Sequence, residues 1–205
     1  MSLTTLPTAL RRSDQVGMFL TIGLAMLGIV ATGWAAVARL LEVLPGADVP
    51  VLVPFMDETA PLPIGPDGAP VQVEVTQAVV TVPHPAAATQ FALVAQPIVA
   101  GLATVVVIAL LAAFAWNVGR GRAFSRANVR VIWWATFTLL VGWILGGLFT
   151  TMGVNGALSA VSEYGYDGVL FSTDWVAFWG IMALGVVGAA FQVGERLQRD
   201  TEGLV

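Results

Sequence analysis

The chain has 205 residues, 57% of them hydrophobic and 11% charged, with several apolar runs long enough to cross a bilayer; this excludes a soluble globular domain and implies a polytopic membrane protein. Thirteen acids against nine basic residues give a formal charge of −4, but the two signs are segregated along the chain and so mark the sides of a membrane rather than a charged partner. The absence of cysteine excludes disulfides, thiolate metal sites and thiol redox chemistry.

Residues 1–15 are polar, with Arg11 and Arg12 ahead of an apolar run read as the first transmembrane helix, 16–43. The positive start and Ala36-Val37-Ala38 imitate a secretory signal, yet an apolar part of about 25 residues suits a span better than a signal core of about 7 to 15. Arg39 and Glu42, at its far end, are spaced to pair and to snorkel toward headgroups. Residues 44–91 hold most of the prolines and five acids (Asp48, Asp57, Glu58, Asp67, Glu74) with no Lys or Arg, which predicts an extracytoplasmic loop. Within it, 71–82 alternates Val71, Val73 and Val75 with polar residues, the pattern of a half-buried strand. Gly65-Pro66-Asp67-Gly68 is turn chemistry, and 49–55 is a second strand whose prolines suit an edge. The expectation is a β-hairpin cap; two strands are marginal alone, so it packs on the helix ends or on a partner.

The second span, 92–118, has Pro97 placed in its first turn and Trp116 near the inner interface. A basic elbow, 119–130, holds Arg120, Arg122, Arg126 and Arg130, with Ser125 as the N-cap of the next helix. The third span, 131–152, opens on Trp133 and Trp134 and contains Gly142 and Gly146, a small-residue face for close helix approach, more often packing within one bundle than a dimer interface. Residues 153–173 form a second outer loop in which 157–164 is a candidate short surface helix. Asp174 caps the fourth span, 174–194, and 195–205 is a tail. Eight of the nine arginines fall on one side under this reading, so both termini are expected inside the bacterial cytoplasmic membrane. The fold class is therefore an all-α membrane protein of four transmembrane helices with a small extracytoplasmic β-hairpin between the first and second.

Candidate chemistry is sparse. The lone His84 lies in a Pro-His-Pro loop; no span offers a haem ligand, and no second histidine joins the loop acids to make a zinc site. No span contains a mid-bilayer ionisable group of the kind a coupled transporter uses. Glu163, Asp167 and Asp174 are the only outer carboxylates an enzyme acting at the second loop would have, and their spacing puts no two of them on one face. The four elbow arginines are a topology signal that also attracts lipid headgroups, and no DNA-binding fold surrounds them. No cofactor and no direct nucleic-acid partner are expected.

Gly121-x-x-Phe124-Ser125-x-x-Asn128-Val129 at the elbow, with Phe191-x-x-Gly194-x-x-Leu197-x-x-Asp200-x-Glu202-Gly203-Leu204-Val205 at the end, resembles the bacterial membrane family called domain of unknown function twenty-nine seventy-five. The likeness extends to four spans and a larger first outer loop. It implies no catalytic residues; it implies a membrane protein encoded beside a small helix-turn-helix regulator of Cro/C1 type. It also draws emphasis to Gly121, Phe124, Ser125, Asn128, Leu197, Asp200, Glu202 and Val205. Physically, Phe124 is placed to insert between helix ends, Asn128 to satisfy elbow carbonyls, and the tail acids Asp200 and Glu202 to fold back onto the elbow arginines.

The functional expectation is a non-enzymatic protein acting by contact with lipid, a protein partner or further copies of itself. It serves as an accessory subunit of a membrane assembly or as the membrane partner of a cytoplasmic regulator. A subunit would use its spans and outer cap, and a regulator partner its elbow and tail. The alternative is a small transporter or channel of four-helix protomers.

Overall fold

The structure is a computed structural model that describes residues 12–165 and 173–202. Its elements are α1 (Arg12–Val43), β1 (Val49–Leu62), a short 3-10 turn (Pro66–Gly68), β2 (Val71–Val82), α2 (Ala87–Gly119), α3 (Arg126–Val161) and α4 (Trp175–Glu202). All four helices are long and apolar enough to span a membrane. Along α1, Phe19, Leu20, Leu24, Leu27, Val30 and Trp34 are each at least 60% exposed, a distribution that is stable only against hydrocarbon.

Several element boundaries differ from the sequence reading. The second span begins at Ala87 rather than 92, so Pro97 lies well inside α2 and not in its first turn. One ladder hydrogen bond is lost there, a cost that membrane helices tolerate where neighbouring groups re-satisfy the freed carbonyl. The predicted surface helix at 157–164 is instead the last part of α3, which continues unbroken to Val161. Its continuation is stabilised by burial: Val154, Ala157 and Leu158 are core residues. Beyond it the chain turns through Glu163 and Tyr164, both at positive φ (50° and 66°). Asp167 lies outside the described residues.

The described chain falls into two compact units. The first comprises Met1–Ala36, Val99–Ile144 and Asp174–Val205. Its helices meet through small residues. A Cβ added to Gly101 would lie 3.1 Å from the Ala36 Cβ, one on Gly142 2.7 Å from the Ala103 Cβ, and one on Gly188 3.2 Å from Ile132. Gly142 is thus a packing residue within the chain, as small-residue faces allow. Gly146 does not share that role, since nothing comes within 4 Å of its position. Asp174 caps α4 as expected, its Oδ1 accepting the Ala177 N–H at 2.9 Å while its carbonyl accepts the Trp143 indole N–H at 3.1 Å.

The second unit comprises Val37–Ile98 and Leu145–Thr173 and contains the sheet. β1 and β2 pair antiparallel from Val49↔Val82 to Leu62↔Val71, with a bulge between Pro54 and Glu58. β1 therefore runs to Leu62, past the end at residue 55 expected from its prolines. The bulge absorbs the mismatch, and a two-stranded sheet offers prolines an outer edge on both strands. The root of the hairpin docks on the helix ends: Val49, Val51, Val53 and Val82 form one core with Val43, Leu93, Val154, Ala157 and Leu158. On β2 the alternation expected over 71–76 holds for Val73 and Val75, half-buried between exposed Gln72, Glu74 and Thr76, while Val71 is exposed; past Gln77 the parity switches, and Val80 and Val82 face the core. Two polar ties fasten the root. Gln90 Nε2 donates to the Val43 carbonyl at 2.6 Å, and Arg39, paired with Glu42 at 2.9 Å as expected, donates a second bond to the Pro50 carbonyl at 2.8 Å.

Candidate functional site

The elbow motif and the last turns of α4 come together in the first unit. α2 ends through three short-range bonds: Arg120 N–H and Arg122 N–H both donate to the Asn117 carbonyl, and Gly121 N–H donates to that of Val118. Gly121 adopts φ +73°, the left-handed conformation that closes a helix and favours glycine. Ser125 then starts α3, its Oγ accepting the Asn128 N–H at 3.3 Å.

Asn128 is the pivot of the turn and is completely buried. Its Oδ1 accepts from Asn117 Nδ2 at 2.9 Å, and its own Nδ2 donates to the carbonyls of Arg122 and Ala123 at 3.1 and 3.0 Å. The amide thus ties the end of α2, the turn and the start of α3 with its donors and acceptor satisfied, as the sequence reading anticipated for the carbonyls. The Asn117 half is hydrogen bonding between two helices near the end of a span, the ordinary use of a polar side chain there.

Phe124 reaches α4. Its ring stacks on Phe191 at 5.1 Å between centroids, and Phe191 meets Phe114 edge-on at 5.5 Å. Gly194 makes the contact feasible, because a Cβ there would lie 2.6 Å from the Phe124 ring. One turn on, Glu195 is largely covered, at 13% side-chain exposure, and bridges two cations, accepting from Arg126 Nε at 3.2 Å and from Arg199. Shallow clefts of about 340 and 430 Å³ flank this bridge, the first reaching Ser125 and Gln198 and the second Arg130 and Gln192.

The expected clasp therefore exists but through a different acid. Leu197 and Asp200 are exposed, no ion pair joins Asp200 to the elbow among the described residues, and the Glu202 side chain and Val205 lie outside what is described. Helical phase explains the difference: at about 100° per residue, Glu195 and Phe191 share a face, whereas Asp200 falls about 140° and Leu197 about 160° away from Glu195. Arg120 lies 4.4 Å above the Trp116 ring, a cation–π contact at the helix end, while Arg122 remains at the exposed surface.

No group of three or more His, Cys, Asp or Glu side chains placed to hold a metal ion occurs among the described residues. Chemically the elbow is a folded clasp of amides, aromatic rings and one bridged carboxylate. No family model, curated protein or solved structure matches this chain.

Proposed function

We propose that the chain is a non-enzymatic integral membrane protein, an accessory subunit that engages its assembly through the distal half of its hairpin. Both termini and the elbow are assigned to the cytoplasmic side of a bacterial inner membrane, on the strength of eight arginines on that side and acidic loops opposite.

The observation behind this reading is the contrast between the two halves of the sheet. The root is packed on its own helices, whereas from Glu58 to Leu62 and from Val71 to Val75 each described side chain is exposed or half-exposed, and neither strand has a second neighbour. Leu62, Ile64 and Val71 stand 44%, 66% and 41% exposed at the far end. Such an arm, with two open edges and apolar tip residues, offers a surface that a partner can cover. Glu58, Asp67 and Glu74 border it without any Lys or Arg, so the complementary surface is apolar with a basic rim. The elbow offers less to a partner, since its motif residues are spent on one another. That contrast favours the assembly subunit over the membrane partner of a regulator.

The test is photocrosslinking from Ile64 and Val71 in the native host, alongside replacement of residues 57–76 by a two-residue Asn-Gly turn. Expected are a discrete crosslinked partner and a truncated protein that still inserts and melts like the full chain but no longer co-purifies with it. A wild-type protein extracted gently as a lone protomer, with no crosslink from either position, refutes the reading.

A further inference from the structure

The second unit also contains a groove of about 430 Å³ where α1 meets the hairpin root, and the contact reading leaves it unused. Its polar end is the Arg39–Glu42 pair, within the last turn and a half of α1, the depth at which a span reaches lipid headgroups. The guanidinium is doubly held, by the Glu42 carboxylate at 2.9 Å and the Pro50 carbonyl at 2.8 Å, yet these bonds take only two of its five N–H donors and its side chain keeps 30% exposure. Glu42 is more open, at 58%. A fixed cation and a fixed anion thus stand side by side at the groove mouth.

The rest of the lining changes character. Gln96 and Thr150 supply two neutral polar groups to the lining, and Leu93, Val154 and Phe149 are apolar. Leu93 and Val154 are over 90% buried, and the Phe149 ring is braced edge-on by Phe91 at 5.7 Å, so this wall is preformed. A lining that combines an ion pair, neutral polar groups and apolar side chains suits an amphiphile.

We infer that this groove binds a membrane phospholipid whose head pairs a phosphate with a primary ammonium, a phosphoethanolamine lipid of the hairpin-side leaflet. The phosphate accepts from the free N–H groups of Arg39, whose planar fork matches phosphate oxygens. The ammonium donates to Glu42. An anionic head without an amine leaves Glu42 opposing it, and a quaternary ammonium has no N–H to donate, so the juxtaposed pair selects among headgroups.

The experiment uses the full chain, delipidated in detergent and offered phosphatidylethanolamine, phosphatidylcholine or phosphatidylglycerol, with bound lipid counted by native mass spectrometry. Wild type is expected to retain phosphatidylethanolamine over the other two by about tenfold. Glu42→Gln keeps the shape and removes the anion, so its preference moves to phosphatidylglycerol. Thr150→Trp, at an exposed lining position, blocks the groove and lowers retention of all three while leaving the melting profile unchanged. Arg39→Lys keeps the charge but loses the fork, and weakens phosphatidylethanolamine retention. Equal retention of the three lipids by wild type, stronger retention of phosphatidylglycerol, or a Glu42→Gln variant with unchanged preference overturns the assignment.

Discussion

Replacing Asn128 tests the account of the elbow most directly. Asn128→Ala removes three side-chain hydrogen bonds at a fully buried position and leaves Asn117 Nδ2 and the carbonyls of Arg122 and Ala123 without that partner. At about 0.5 to 1.5 kcal/mol net per bond, less what water recovers at the helix ends, the expected loss is about 2 to 4 kcal/mol. Asn128→Asp is expected to be at least as damaging: it still accepts from Asn117 but turns a carboxylate toward two carbonyl oxygens. Changing both Asn117 and Asn128 to leucine should cost less than the sum of the single changes, because no orphaned amide remains, giving a coupling of about 1 kcal/mol or more. Unfolding in mixed micelles titrated with a denaturing detergent gives the free energies, and amide exchange over 120–128 locates the loss. An Asn128→Ala protein within about 0.5 kcal/mol of wild type, with unchanged exchange at the turn, would refute the claim that this amide holds the elbow shut.

Three further outcomes follow from the geometry. Gly121→Ala places a Cβ at φ +73° and should cost about 1 kcal/mol, whereas Gly121→Asn should cost clearly less because asparagine accepts that conformation; melting temperatures of the two variants decide. Glu195→Arg sets three cations against one another and should raise amide exchange through the last turns of α4, while Asp200→Arg should leave exchange as in wild type; equal effects would mean that the bridge is not the clasp. Asp174→Ala removes the bond to the Ala177 N–H and should lower stability by about 1 kcal/mol, and Asp174→Ser should restore most of it in the same unfolding assay.

Much of the architecture was legible because a bilayer imposes length and uniform apolarity on any span, so four spans and their approximate order follow from hydropathy alone. Local caps were legible for a similar reason: Ser125 and Asp174 precede their helices, and Gly121 follows α2, at positions where backbone geometry dictates residue type. The misreadings fall where tertiary burial outweighs local signals. Pro97 looked like a helix start, but the segment before it is recruited into α2 by Thr89, Ala92 and Leu93, all buried. On β2 the alternation of Val73 and Val75 with polar residues was legible, but the change of parity that turns Val80 and Val82 inward comes from docking against Val43 and Leu158. At the elbow the motif was visible but its pairing was not, since the choice of Glu195 over Asp200 depends on α4 remaining helical past Gly194.

The elbow motif is therefore largely consumed by the fold, whereas Leu197 and Asp200 of the tail stay exposed. Each arginine of the elbow had the same standing in the sequence, yet Arg126 is paired with Glu195 and Arg120 lies over Trp116, so these two cations are held in place by their own chain. The hairpin is the reverse case: its distal half is left bare by its own chain. If binding energy at protein contacts comes from apolar groups that lose water, with charges setting orientation, then Leu62, Ile64 and Val71 are better anchors than any arginine of the elbow. Alanine at all three should then abolish partner retention while charge reversal at Glu58 and Glu74 should slow association with a smaller loss of affinity. Retention surviving the triple alanine change but lost on charge reversal would place recognition in the acids and refute the apolar-anchor argument.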